Sequence, residues 1–164
     1  MTIVEFLEAR LAEDEAAALT AGGSAADWLY VGENDQATNG EVVWSNSRRE
    51  NTFHRGSVNE SVYVTYDRYV TCDSEGLSPA VYEEDGPHIA RHDPARALAE
   101  VAAKRGILEA HAGRSPRSSD FCRICEDPYT YGPEAWPCDT VRYLASIYKD
   151  HPDFNKHTEG GWTI

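Results

Sequence analysis

The sequence predicts an α+β domain: an N-terminal helix, a small antiparallel β-sheet region and C-terminal helices joined by a cysteine-bearing loop. Three observations lead there. Apolar residues recur at helical spacing over 1–21 and again over 93–157. Between them, 28–84 carries short β-branched and aromatic runs broken by turn residues. The 164 residues, 41% of them apolar, suffice for one modest core, so 1–164 reads as a single domain.

The first helix opens at Thr2. Thr2 and Glu5 match the capping box, which satisfies two orphan amide donors. Ile3, Val4, Leu7, Leu11 and Ala18 form its apolar stripe, and Gly22-Gly23 ends it. Strands are expected at Trp28–Val31, Glu41–Ser45, Ser61–Thr71 and Ala80–Glu83. Asn39-Gly40 ahead of Glu41 is a hairpin signal, because both residues tolerate positive φ. Val62, Val64 and Tyr66 share one strand face. Residues 46–60 are polar and aperiodic, and a long mobile loop is expected there. Asp93-Pro94 is an N-cap followed by Pro at the first helical position. Leu98, Val101, Ala102 and Leu108 then make a core stripe that ends near His111. Residues 113–120 read as a Ser/Pro/Arg loop. The last helix starts near Pro137-Cys138, carries Val141, Leu144, Ala145 and Tyr148, and stops at His151-Pro152.

Charge narrows the function classes. Twenty-eight acidic against fifteen basic residues leave a formal net charge of −13. A protein that tracks nucleic acid or an anionic membrane needs a basic face, so neither partner is expected. No apolar run approaches the roughly 20 residues that span a bilayer. Met1-Thr2-Ile3-Val4-Glu5 lacks the basic region that opens a signal peptide. A cytoplasmic setting is expected.

Three of the four cysteines cluster. Cys122-Arg123-Ile124-Cys125 is a C-x2-C knuckle, and Cys138 follows after twelve intervening residues. A tight turn points two such sulfurs inward toward one tetrahedral ion, and Cys138 at a helix start can add a third. The helix dipole favours its thiolate. His111 leads as fourth ligand, with His151 and Cys72 as alternatives. Two other readings stay open: buried reduced thiols, or a redox pair. A redox pair usually opens a helix after a strand, whereas Pro128, Tyr129 and Tyr131 follow here. Four protein ligands would close the site, so the expected cofactor is a structural zinc.

His88, His92 and Asp93 form the other constellation. They could converge as a second metal or general-base site. Against this, Asp93-Pro94 starts a helix after the two imidazoles, and Gly86-Pro87 makes a turn before them. The plainer reading is that Asp93 is a cap and both imidazoles bond to backbone or pack on aromatic rings. HExxH, P-loop, GxGxxG and G-x-S-x-G motifs are absent from the sequence.

Val4-Glu5-Phe6-Leu7-Glu8-Ala9-Arg10-Leu11 resembles the opening of a family of small uncharacterised proteins of actinomycetes and their phages. His88-Ile89-Ala90-Arg91-His92-Asp93-Pro94-Ala95-Arg96, the Pro137-Cys138 helix and Tyr148-Lys149-Asp150-His151-Pro152-Asp153-Phe154 are similar too. The resemblance implies a bacterial or phage setting, paired cysteines with a later Pro-Cys, and hence Cys122, Cys125, Cys138 and His111 as ligands. It implies no reaction. Three functions follow as expectations. The first is a non-enzymatic, zinc-stabilised module that binds another protein. The second is a metal-dependent hydrolase or nuclease on His88, His92 and Asp93. The third is an acidic inhibitor that imitates nucleic acid.

Overall fold

The computed structural model describes residues 1–32, 40–54, 60–71, 81–112, 121–125 and 136–154. The elements run α1 (Ile3–Thr20), β1 (Trp28–Val31), β2 (Glu41–Trp44), β3 (Arg48–His54), β4 (Glu60–Tyr66), α2 (Gly86–Arg91), α3 (Pro94–Ala112) and α4 (Asp139–Ser146). An N-terminal helix, two small antiparallel sheets and C-terminal helices make up the predicted α+β class. The sequence divides into three consecutive stretches, whereas the contacts divide into two compact units. Unit 1 is Met1–Ala17 with Ala99–Ile164, and unit 2 is Ala18–Leu98.

Unit 1 is built on apolar stripes. The α1 capping box forms as its residues require. Thr2 N–H donates to Glu5 Oε2 at 2.7 Å, and Glu5 N–H donates to Thr2 Oγ1 at 3.2 Å. Ile3, Phe6, Leu7 and Leu11 then share one buried face. They pack with Val101 and Leu108 of α3, with Val141 and Ala145 of α4, and with the Cys122 and Cys138 side chains. Phe6 is fully buried and meets Tyr148, His151 and Phe154 edge-on, with ring centroids 5.7–6.3 Å apart. Ala102, expected in the α3 stripe, is exposed. The last helix stops at Ser146, and turns carry the chain from there to Phe154.

Unit 2 is built on hairpins. β1 pairs antiparallel with β2, from Trp28 opposite Trp44 to Val31 opposite Glu41. Gly40 has φ +77°, yet the connection spans 32–40 and is not a two-residue turn. Asn39 lies outside the described residues. Gly22, at φ +127°, leaves α1 in a conformation that a side chain resists, and a Cβ there would come within 2.3 Å of the Trp44 ring. Residues 68–71 run beside β2, with Val70 N–H donating to Val42 O at 2.8 Å and an isolated bridge from Tyr69 to Val43. α2 sits against β1. A Cβ on Gly86 would lie 2.1 Å from the Tyr30 ring, so glycine permits the approach.

The loop expected at 46–60 is corrected over 48–54 by β3, and 55–59 lie outside the described residues. Arg48–His54 pairs residue by residue with β4, from Arg48 opposite Tyr66 to His54 opposite Glu60. The segment RRENTFH has no alternating apolar pattern, so nothing local announces a strand. Its pairing comes from the partner, including an Asn51 Nδ2 to Thr65 Oγ1 bond of 2.8 Å across the ladder. Burial along β4 grades from exposed Val62 through half-buried Val64 to buried Tyr66. Tyr66, with half-buried Val64 packed against the cluster, joins the small core of Val31 and Val43. Residues 81–83 form no strand. Val81 N–H instead donates singly to Gly40 O at 3.1 Å. The expected loop at 113–120, Cys72 and residues 155–157 lie outside the described residues.

Candidate metal centre

Three pieces of unit 1 deliver the candidate ligands. α3 ends at Ala112, and His111 in its last turn is half-buried. The tight turn over 121–125 carries Cys122, fully buried, and Cys125, half-buried. Cys138 is the N-cap of α4, with φ −68° and ψ 163°. Its carbonyl accepts from Arg142 N–H at 3.0 Å, while its side chain is fully buried. That extended cap conformation lets a helix begin while the thiol turns into the core.

The four side chains converge. His111 Nδ1 lies 3.6 Å from Cys122 Sγ, 3.5 Å from Cys125 Sγ and 3.5 Å from Cys138 Sγ. All four ligand atoms fall within 4.8 Å of one another. One nitrogen therefore stands at nearly equal distance over three sulfurs. Among the described residues this is the one group of three or more His, Cys, Asp or Glu side chains placed to hold a metal ion.

The two buried thiols shift in opposite directions. Burial works against a Cys122 thiolate, but the amides of Cys125 and Ile124, with the neighbouring thiols, outweigh it and bring its pKa below the usual thiol value. Burial pushes Cys138 up. The Val141 amide opposes that rise, and the nearby Cys122 adds to it. Two thiolates this close repel, so ionising the first suppresses the second. A cation among them removes the conflict and favours both anions.

Of the alternative ligands, Cys72 lies outside the described residues and His151 is engaged elsewhere. His151 ring nitrogens sit 2.6 and 2.8 Å from Arg10 Nη1, and Asp153 N–H donates to His151 Nδ1 at 3.0 Å. Arg10 itself was not legible as a buried residue. It is only 7% exposed, held by Glu13 Oε1 at 2.7 Å and Asp153 Oδ2 at 3.4 Å, with the Phe6 ring 5.4 Å away. Its one sequence signal is position: it stands at i+3 from Leu7 and i+4 from Phe6, on the apolar face.

His88, His92 and Asp93 fall in unit 2. α2 brings the two imidazoles together, with ring centroids 4.3 Å apart. The His92 Nδ1–H donates to the His88 carbonyl at 2.8 Å. Asp93 Oδ1 accepts from Arg96 N–H at 2.7 Å, which is an N-cap contact for α3. The expected cap is thus present, His92 makes the expected backbone bond, and the two imidazoles lie against each other at an interplanar angle of 42°. The three side chains form no three-ligand cluster.

Residues 1–159 match a family described as a family of unknown function (DUF6221), and the chain belongs to it. No curated protein and no solved structure matches.

Proposed function

We propose that this member of the DUF6221 family is a zinc protein whose ion, held by Cys122, Cys125, Cys138 and His111, is structural, and that it works by binding another protein. One observation carries the zinc reading. An ion bound by sulfur at about 2.3 Å and by imidazole nitrogen at about 2.05 Å, with tetrahedral angles, has a nitrogen–sulfur edge of about 3.6 Å. The three edges here are 3.5, 3.5 and 3.6 Å. Three of that tetrahedron's six edges thus match in length, and the sulfur–sulfur edges are bounded by 4.8 Å, which supports the reading. An iron–sulfur cluster interposes its own atoms and would hold its ligands farther apart. Magnesium and calcium prefer oxygen donors. Zinc suits three thiolates and an imidazole, imposes no geometry of its own and carries no redox cost.

Four protein ligands leave no coordination position for water or substrate, so the ion ties the fold and activates nothing. Three features support a binding role. The net charge of −13 draws in a basic protein surface, mainly through the association rate. Ile124, between two of the ligands, is 53% exposed, and Tyr143 and Ile147, one helical turn apart, are similarly open. Asp93 and His92 are engaged in backbone contacts, which weakens a hydrolase reading. Among the described residues no helix is long and apolar enough to cross a membrane. The resemblance to actinomycete and phage proteins supports a bacterial cytoplasmic setting.

Elemental analysis of chain purified without added metal tests the zinc reading. One equivalent of zinc is expected, and a folded chain with zinc near zero refutes it. A complex recovered from host lysate that weakens as salt rises is expected for the binding role. Hydrolysis of nucleic acid or a nucleotide, lost on His88→Ala or His92→Ala, would replace that role with a catalytic one.

A further inference from the structure

We infer that the metal centre is also a redox-sensitive latch, opened by a hydroperoxide that oxidises Cys125 and Cys122 to a disulfide and expels the ion. The inference rests on the zinc reading above and adds a regulation to the same site.

The unequal burial of the sulfur ligands is the starting point. Cys122 and Cys138 are fully buried in the unit 1 core, whereas Cys125 is half-buried at the end of its turn. A small oxidant therefore reaches the cluster through Cys125. Zinc keeps its cysteines as thiolates, the form that attacks peroxide. The Cys125 thiolate attacks one peroxide oxygen, the O–O bond breaks, and the departing hydroxide takes a proton to become water. Cys125 is then a sulfenic acid and a poor ligand. The Cys122 sulfur stands within 4.8 Å and on the same tight turn. It attacks the Cys125 sulfur and displaces hydroxide, which takes a second proton from solvent. Altogether two thiolates, one hydroperoxide and two protons give one disulfide and two waters (one water and one alcohol for an organic hydroperoxide). The peroxide gains the two electrons that the two sulfurs lose. Cys138 and His111 remain as two ligands, too few to retain zinc.

Cys122 is the resolving partner because both sulfurs belong to one five-residue turn. Pairing them requires only that turn to adjust. Pairing Cys125 with Cys138 would instead draw on the start of α4, whose Val141 and Ala145 are fully buried. Opening the latch unties the end of α3 from the start of α4.

The test uses the full chain carrying Cys72→Ser, so that the three ligand cysteines are the only thiols. Zinc content is measured first. Hydrogen peroxide is then added at neutral pH, zinc release is followed with a chromophoric chelator, and the protein is alkylated and cut with trypsin. Trypsin cleaves after Arg123, between the two knuckle cysteines. The expected result is loss of the bound zinc in step with a cross-link between the peptide ending at Arg123 and the one beginning at Ile124. Fragmentation should place the link at Cys125 and find Cys138 alkylated, and dithiothreitol with zinc should restore the starting state. Zinc retained until the whole chain unfolds overturns the latch while the zinc reading stands. A disulfide internal to the peptide from Ile124 to Arg142 overturns the assigned pair. A folded protein without zinc at the outset overturns both readings, and it is recognised before peroxide is added.

Discussion

The two compact units are held together in different ways. Unit 1 joins residues far apart in the chain through a broad apolar core in which two candidate ligands are themselves core side chains. Unit 2 joins near neighbours through two-stranded ladders, with a core cluster of Val31, Val43 and Tyr66 among the described residues. Two-stranded sheets are marginal alone and depend on what they pack against. The difference teaches where single changes matter. In unit 1 one side chain touches many partners, so losses are large and shared. In unit 2 the stabilisation is spread over backbone pairs, so single side chains count for less.

The largest expected effect breaks the comparison at the metal. Cys122→Ser, or chelation, should abolish zinc binding and lower the melting temperature substantially, because zinc-binding energy is folding energy. Hydrogen exchange should show α3 and α4 losing protection ahead of the β1–β2 ladder. Equal loss in both units would erase the distinction. The next effect compares two apolar truncations. Phe6→Ala removes a fully buried ring and should cost about 3–5 kcal/mol. Val64→Ala, half-buried on its hairpin, should cost about 1 kcal/mol. Denaturant titration of the two variants gives both numbers, and similar values would show that unit 2 is as tightly packed as unit 1.

Asp93→Ala comes third. It removes the bond to Arg96 N–H and should cost about 1 kcal/mol. Loss of partner binding or activity with no more than that change in stability would give His88 and His92 a function. The smallest effect is electrostatic. The bond from Thr2 N–H, opposed by slight desolvation, holds the Glu5 carboxyl below its ordinary pKa. A depressed folded pKa means stability that is present above the unfolded value and lost as pH falls through the folded one. The stability gap between wild type and Glu5→Ala should therefore be full near neutrality and shrink in acid. A gap that stays constant to the acid limit would assign the whole effect to helix propensity.

Local rules made much of unit 1 legible. The Thr2/Glu5 box, the Asp93 cap and the α4 pattern each need only residues within one or two turns. The clustering of the four candidate side chains was legible because C-x2-C spacing and a cysteine at a helix start are local too, and a histidine at a helix end supplied the fourth candidate. The α1 stripe also includes Phe6, which sits at i+3 from Ile3 and packs within the core. Arg10 was illegible because its burial depends on Glu13, His151 and Asp153 closing around it, and the last two lie far along the chain. β3 was illegible for a related reason. Its residues have little strand character, and β4 supplies the specification. The ten residues between His111 and Cys122 gave no hint of how close those two side chains stand.

Phe6 and Val141 share one core although 134 residues of sequence lie between them. On a ribosome adding about 5–20 residues per second, the α1 stripe emerges on the order of ten seconds before α4 exists to cover it. Hairpins can close in the meantime, because their partners emerge close together. The stripe of Ile3, Phe6, Leu7 and Leu11 must wait, exposed to any other nascent chain. Glu8, Glu13, Asp14 and Glu15 then have work to do before the fold exists. Their charges keep that waiting helix apart from its neighbours until the last helix arrives.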